Sequence, residues 1–283
     1  MTNRPFDQIR LEKEYRPWAD PLAIVRRWRE RSASCLKRAN TVCDVPYGNS
    51  PAERLDFLKP MSSNAPVLLF IHGGYWQRFD KADYAFALEP LVASGALVAT
   101  VNYPLCPEVG LDALVDRVRA ACAWVWRHAR DYGGDPDRLH VAGHSAGGHL
   151  AAMMAATDWS RFQEGMPREM IKGITTVSGL FDLDPLRFTS VNQAVGMDFE
   201  TARRNSPCFM APAIPLPVTV VVGAEETEEL RRQSREFADA WRSETSAMEY
   251  IESPGHDHFS IIEAMTETNN GLTATILRRI SLK

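Results

Sequence analysis

Cysteine is scarce and scattered in this chain. Cys35, Cys43, Cys106, Cys122 and Cys208 are odd in number, and no C-x-x-C occurs. That spacing supports neither a metal site nor a redox dithiol. Positive charge is also short. Thirty-two Lys and Arg against 36 Asp and Glu leave a net charge of −4, so neither nucleic acid nor an anionic membrane is expected as a partner. The densest acidic patch, residues 225–229, is too brief for an acidic tail. No apolar run approaches a membrane span, and no apolar segment follows the charged N-terminus as in a secretory leader. Internal repeats and low-complexity stretches are missing too. The expectation is a soluble, reduced, cytoplasmic protein. What is present fits that class: 45% hydrophobic and 24% charged residues, over 283 positions that can bury a substantial core.

The richest stretch is Val141-Ala142-Gly143-His144-Ser145-Ala146-Gly147-Gly148-His149. It has the form G-x-S-x-G. An apolar run over residues 139–142 leads in, and an alanine-rich helical run over residues 149–156 leads out. Strand, sharp turn, helix is the context of a nucleophile elbow, where only small neighbours fit and the serine hydroxyl is lifted off the sheet. The helix N-terminus then offers free N–H groups where negative charge would develop.

Around this stretch the pattern is regular. Residues 1–40 read as a polar, Arg-rich helical leader with a partial apolar face from Trp18, Ile24, Val25 and Trp28. It is expected to pack outside the core or, less simply, to shield part of an active-site mouth. Residues 41–47 and 54–58 form a hairpin. Continuous apolar runs at 67–71, 97–101, 171–177 and 218–222 suit buried strands, with 248–251 as a last one. Helices are expected at 84–94, 111–132, 226–241 and from 259 onward. In the longest, Leu111, Leu114, Val115, Val118, Cys122, Val125 and Trp126 share one face, and Gly133-Gly134 with Asp135-Pro136 stops it. Alternating strands and helices predict an α/β fold, a mostly parallel sheet flanked by helices. A Pro-rich stretch, residues 180–217, interrupts the alternation and reads as a lid.

A serine hydroxyl needs a base and a group that orients the base, expected in the order Ser, acid, His. His149 lies one turn into the elbow helix and suits packing. His256 and His258 lie in a loop before the last helix, and His258, anchored by Phe259, is favoured. Glu225 and Glu226 compete for the acid after strand 218–222, with Asp182 and Asp184 as outside candidates. One oxyanion N–H is expected from Ala146. The other is expected from His72-Gly73-Gly74-Tyr75-Trp76, on Gly74 with Tyr75 helping and Gly73 as the neighbouring choice. His72 reads as a loop organiser.

These stretches resemble the α/β-hydrolase superfamily, hormone-sensitive-lipase-like branch, and more specifically the kynurenine formamidase (arylformamidase) family, which carries H-G-G-x-W. Pro46-Tyr47-Gly48 with Leu55-Asp56, Ser178-Gly179-Leu180-Phe181-Asp182-Leu183, Asn205-Ser206-Pro207, Arg232-Gln233-Ser234 and His258-Phe259 extend the likeness from about Tyr15 onward. The resemblance implies one α/β-hydrolase domain over residues 1–283, with a small lid insertion after the sixth strand. It assigns the acid to Glu226, where the family usually has aspartate, and the base to His258. The implied reaction is acyl transfer on a small-molecule amide or ester, most specifically N-formyl-L-kynurenine in tryptophan breakdown. It needs no metal and no cofactor. Trp76, Tyr75 and Phe181 would wall a pocket for the aryl leaving group. A carboxylesterase or other amidase on the same scaffold would use the same triad, and a silent hydrolase-fold binding protein fits less well. Oligomeric state, a homo-oligomer included, stays open.

Overall fold

The computed structural model describes residues 7–37, 40–267 and 271–281. Among the described residues eight strands run in chain order: β1 (Thr41–Pro46), β2 (Arg54–Leu58), β3 (Ala65–Ile71), β4 (Leu97–Val101), β5 (Gly134–His144), β6 (Ile171–Val177), β7 (Pro217–Gly223) and β8 (Ala247–Ser253). The main helices are α1 (Gln8–Tyr15), α2 (Pro21–Leu36), α3 (Ala85–Ala93), α4 (Leu111–His128) and α5 (Ala146–Ala155). Short α6 (Trp159–Phe162), α7 (Asn192–Val195) and α8 (Phe199–Arg204) follow, then α9 (Glu228–Trp241), α10 (Ser260–Glu263) and α11 (Gly271–Ser281).

Local chemistry explains the boundaries. Asp7 caps α1 by accepting from the Ile9 and Arg10 N–H groups, and Asp20 caps α2 with Pro21 at its first position. The helix expected over 111–132 becomes α4 plus one 3-10 turn, closed by Gly133 at φ 89°. Strand β5 begins earlier than expected because Gly134 and Asp135 pair with Ala65 and Pro66 before the register shifts. The single C-terminal helix expected from residue 259 is instead α10, a 3-10 turn and α11; residues 268–270 lie outside the described residues.

The strands form one sheet in the order β1-β2-β4-β3-β5-β6-β7-β8. The β1–β2 and β2–β4 pairs are antiparallel, and the five other pairs among the described residues are parallel. This is the α/β-hydrolase fold. Alternation along β3 sends Val67, Leu69 and Ile71 to one core, with α4, α5 and α9. Leu68 and Phe70 go to the other, with α2, α3 and α11. Each such side chain contributes about 1.5–3 kcal/mol by leaving water. The chain leaves β3 toward β4 on one side and β5 toward β6 on the other, so the sheet has its switch point between β3 and β5, where a crevice opens at the carboxyl ends. No helix among the described residues is long and apolar enough to cross a membrane.

Candidate active site

Five loops meet at that crevice. The β5–α5 turn carries Ser145 at φ 57° and ψ −120°, a strained conformation for a residue with a Cβ. Its N–H donates to the Val177 carbonyl at 2.8 Å, which fixes the turn against the end of β6. The flanking glycines are required by contact. A Cβ on Gly143 would lie 2.2 Å from the Gly147 oxygen, and one on Gly147 would lie 2.0 Å from the Ile71 oxygen. The N–H of Ala146 opens α5.

The β7–α9 and β8–α10 loops bring Glu226 and His258 together. His258 Nδ1 lies 2.8 Å from Glu226 Oε2, and both side chains are buried, at 5% and 0% exposure. Glu226 Oε1 accepts from the Gly223 N–H at 2.8 Å and from Ser178 Oγ at 2.5 Å. Ser178, left-handed at φ 53°, ends β6, and its N–H donates to the Val221 carbonyl. Its place straight after an apolar run in a family-like segment was the available signal, and sequence reasoning gave it no role. Of the competing acids, Glu225 is exposed, Asp184 pairs with Arg187, and Asp182 caps the Asp184 N–H. His256 bonds to Ser253 at 3.0 Å.

The β3 loop is a tight left-handed turn. Gly74, Tyr75 and Trp76 have φ of 112°, 52° and 59°. A Cβ on Gly74 would lie 2.1 Å from the Arg78 oxygen, which accounts for the glycine. The N–H of Gly73 is occupied by the Tyr84 hydroxyl at 3.3 Å. Among the described residues, the N–H groups of Gly74, Tyr75 and Ala146 have no protein acceptor. His72 organises the loop, as expected: its Nδ1 donates to the Gly73 carbonyl at 2.7 Å, and its ring stacks on Tyr103 at 4.5 Å.

Two expected pocket walls are core instead. Trp76 is wholly buried. Its indole N–H donates to His149 Nδ1 at 3.2 Å, and its carbonyl accepts from Cys106 at 2.8 Å. The His149 Nε2–H donates to the Asn205 carbonyl at 2.8 Å, and burial holds this imidazole neutral with a pKa of about 4. One hydrogen bond thus ties the H-G-G-Y-W turn to the elbow helix and holds two left-handed residues in place. Phe181 is also fully buried and stacks on Phe237 at 4.0 Å. Both side chains are large apolar surfaces next to core partners, and the core takes them.

His144 was not singled out by sequence reasoning, although it sits inside the elbow motif. Burial keeps it neutral, well below the usual histidine range. Its Nε2 lies 2.8 Å from the His258 carbonyl and must donate; its Nδ1 then accepts from Tyr84 Oη at 3.1 Å. The backbone of His258 is therefore tied to the elbow, and through Tyr84 to Gly73.

A cavity of about 210 Å³ lies against Ser145 and His258. Its wall includes Gly74, Tyr75, Arg78, Phe79, Tyr84 and Phe259, and the leader adds Glu12, Arg16, Trp18, Ala19 and Pro21. Trp18 stacks on the His258 ring at 4.5 Å. The preferred expectation of a leader packed only on the outside is thus corrected: its helices flank a mouth-lining turn. A serine on a strained elbow, a buried carboxylate–imidazole pair and free backbone N–H groups on one cavity can together support acyl transfer.

Comparison with known proteins agrees. A family model described as BD-FAE matches residues 55–206. The kynurenine formamidase of Danio rerio is 35% identical over 95% of this chain and 95% of its own. The chain belongs to the kynurenine formamidase family. A crystal structure from Silicibacter sp. TM1040 is 26% identical, with TM-score 0.84 over 96% of this chain and 99% of that one. EstE1, a thermophilic carboxylesterase from a metagenomic library, shares the fold at 20% identity, with TM-score 0.74 over 92% and 96% of the two chains. As a family member, the protein is a serine hydrolase.

Proposed function

We propose that this formamidase-family chain hydrolyses N-formyl-L-kynurenine to kynurenine and formate, with Ser145 as nucleophile, His258 as base and Glu226 as the acid that orients it. The observation that carries the triad is the buried 2.8 Å contact between His258 Nδ1 and Glu226 Oε2, on the cavity that holds Ser145. Family membership over nearly the whole chain carries the substrate.

In this mechanism Ser145 Oγ attacks the formyl carbon as its proton passes to His258 Nε2. Glu226 holds the imidazolium that forms. The N–H groups of Gly74, Tyr75 and Ala146 receive the oxyanion; Gly73 is not used, because its N–H is already spent on Tyr84. Collapse breaks the C–N bond, and His258 returns the proton to the leaving aryl amine. Water, deprotonated by the same imidazole, then attacks the formyl-serine, releasing formate and restoring the hydroxyl. The lid role of residues 180–217 is exerted through the leader, since Ser190 binds Glu12 by both its N–H and its hydroxyl. We read the chain as one catalytic domain, and its five free cysteines suit a reducing, cytoplasmic setting.

The second reading is a carboxylesterase or another amidase, favoured by the shared fold of EstE1. The experiment is a comparison of kcat/KM on N-formylkynurenine, other aryl amides and p-nitrophenyl esters of increasing acyl length. The formamide should lead; a clear preference for a longer acyl ester would replace the first reading with the second.

A further inference from the structure

Two guanidinium groups stand on the wall of the cavity that holds Ser145, and the mechanism uses neither. Arg16 comes from the end of α1 and Arg78 from the loop after the Gly74 turn. Their situations differ. Arg16 is committed in part: one nitrogen lies 3.1 Å from Glu12 Oε1 and 2.5 Å from Ser190 Oγ. Its remaining N–H groups have no acceptor among the described residues. The Glu12 carboxylate is in turn held by Arg16 and by both donors of Ser190, which keep it below the usual carboxylate range and charged. Glu12 and Arg16 therefore cancel. Arg78 has no such partner. Its side chain makes no ion pair and no hydrogen bond among the described residues, although it is only partly exposed.

The cavity thus carries one uncompensated positive charge in a planar fork, with a second fork half free. That pair matches a carboxylate, whose two oxygens take parallel N–H bonds from guanidinium. A plain acyl ester has no group for it. The cavity, at about 210 Å³, falls below the 300–1,000 Å³ or so of sites for drug-sized ligands, so a group on one wall remains near the nucleophile. If the acyl group is only formyl, as the formamidase reading on which this step rests has it, nearly all the space belongs to the leaving group.

We propose that Arg78, assisted by Arg16, binds a carboxylate on the leaving-group side of the substrate, and that this contact selects acylated aryl amines bearing an amino-acid end over neutral ones. Arg78 and Arg16 are specificity-determining residues; neither touches the reacting atoms.

The test reads binding apart from formamide turnover. With p-nitrophenyl acetate hydrolysis as reporter, competitive inhibition is measured for kynurenine and for kynuramine, the same amine without its carboxylate. In the wild type kynurenine should bind more tightly. Arg78→Gln should raise the Ki of kynurenine about 10- to 100-fold and leave that of kynuramine unchanged. Arg78→Lys should recover part of the loss, and Arg16→Gln should give a smaller loss of the same kind. Equal binding of the two amines by the wild type, or an equal loss for both in Arg78→Gln, would overturn the subsite. Turnover of N-formylkynurenine is assayed separately. Its failure, with the Arg78-dependent preference intact, would overturn the formamidase reading and sustain the subsite; good turnover without the preference would do the reverse.

Discussion

Two regions stand outside the alternation of strands and helices: the leader, α1 and α2, and the insertion between β6 and β7. The leader is polar, yet it supplies Glu12, Arg16, Trp18, Ala19 and Pro21 to the cavity beside Ser145. The insertion is rich in proline and reads as open, yet Leu180, Phe181, Leu183, Leu186, Val191, Val195 and Ala202 are buried in the core, and none of its residues is in that wall among the described residues. The contrast shows that prolines decide the path of a backbone, while apolar side chains decide whether the segment is buried. The leader buries Tyr15 and Trp28 but keeps Glu12 and Arg16 at the rim, where a charged substrate can meet them.

The largest effect lies outside both regions and sets the baseline for comparing them. Ser145→Ala should lower kcat by on the order of 10⁴–10⁶ without changing the circular dichroism, and activity retained within tenfold would remove the proposed nucleophile. Next, Glu226→Gln should lower kcat by roughly 10³–10⁴, by analogy with an uncharged replacement of a triad acid, whereas the exposed Glu225→Gln should stay near wild type. A larger loss at Glu225 would show the acid to be misassigned.

One pair of variants separates the roles of leader and insertion. Phe181→Ala in the insertion should lower stability by about 3–5 kcal/mol, read by urea denaturation, with kcat/KM nearly kept while the protein is folded. Trp18→Ala in the leader removes the ring stacked on His258 and should lower kcat/KM about tenfold with little change in stability. If the two outcomes were exchanged, the roles of leader and insertion would be exchanged too.

The smallest effect concerns pH. Burial holds His72 and His149 at pKa values of about 4 and His140 at about 3, with His144 well below its usual range. Unfolded histidine titrates near 6.5, so below that pH the unfolded chain binds more protons than the folded one. The contribution of these neutral imidazoles is therefore full above about pH 6.5 and is lost as pH falls toward about 4. His149 joins the elbow helix to Asn205 of the insertion, so His149→Gln should flatten the fall in urea-derived stability by about one proton, roughly 1.4 kcal/mol per pH unit. An unchanged slope would mean that this imidazole is not held neutral.

What was legible in the sequence is what short-range chemistry specifies. G-x-S-x-G between an apolar run and a helix reads as an elbow because its spacing answers to a contact within the turn, where a Cβ on Gly143 would meet the Gly147 oxygen. The strands were legible from their continuous apolar runs. Glu226 over Glu225 came from family resemblance, and the fold places the former against His258. What was not legible depends on contacts between distant parts of the chain. Trp76 bonds to a histidine 73 positions away, and Phe181, in the irregular segment after β6, meets Phe237 of α9, so neither could be told from a pocket wall by spacing. Trp18 is separated from His258 by almost the whole chain, and local spacing did not distinguish it from Trp28, which goes to the core.

The most direct test of the central account is covalent capture of the nucleophile. The protein is incubated with an excess of an aryl phosphonate, and the intact chain and its peptides are weighed by mass spectrometry as hydrolysis is followed. One phosphonyl group per chain is expected, carried on Ser145, with loss of turnover in proportion to labelling. A group carried elsewhere, or turnover that survives complete labelling of Ser145, would contradict it.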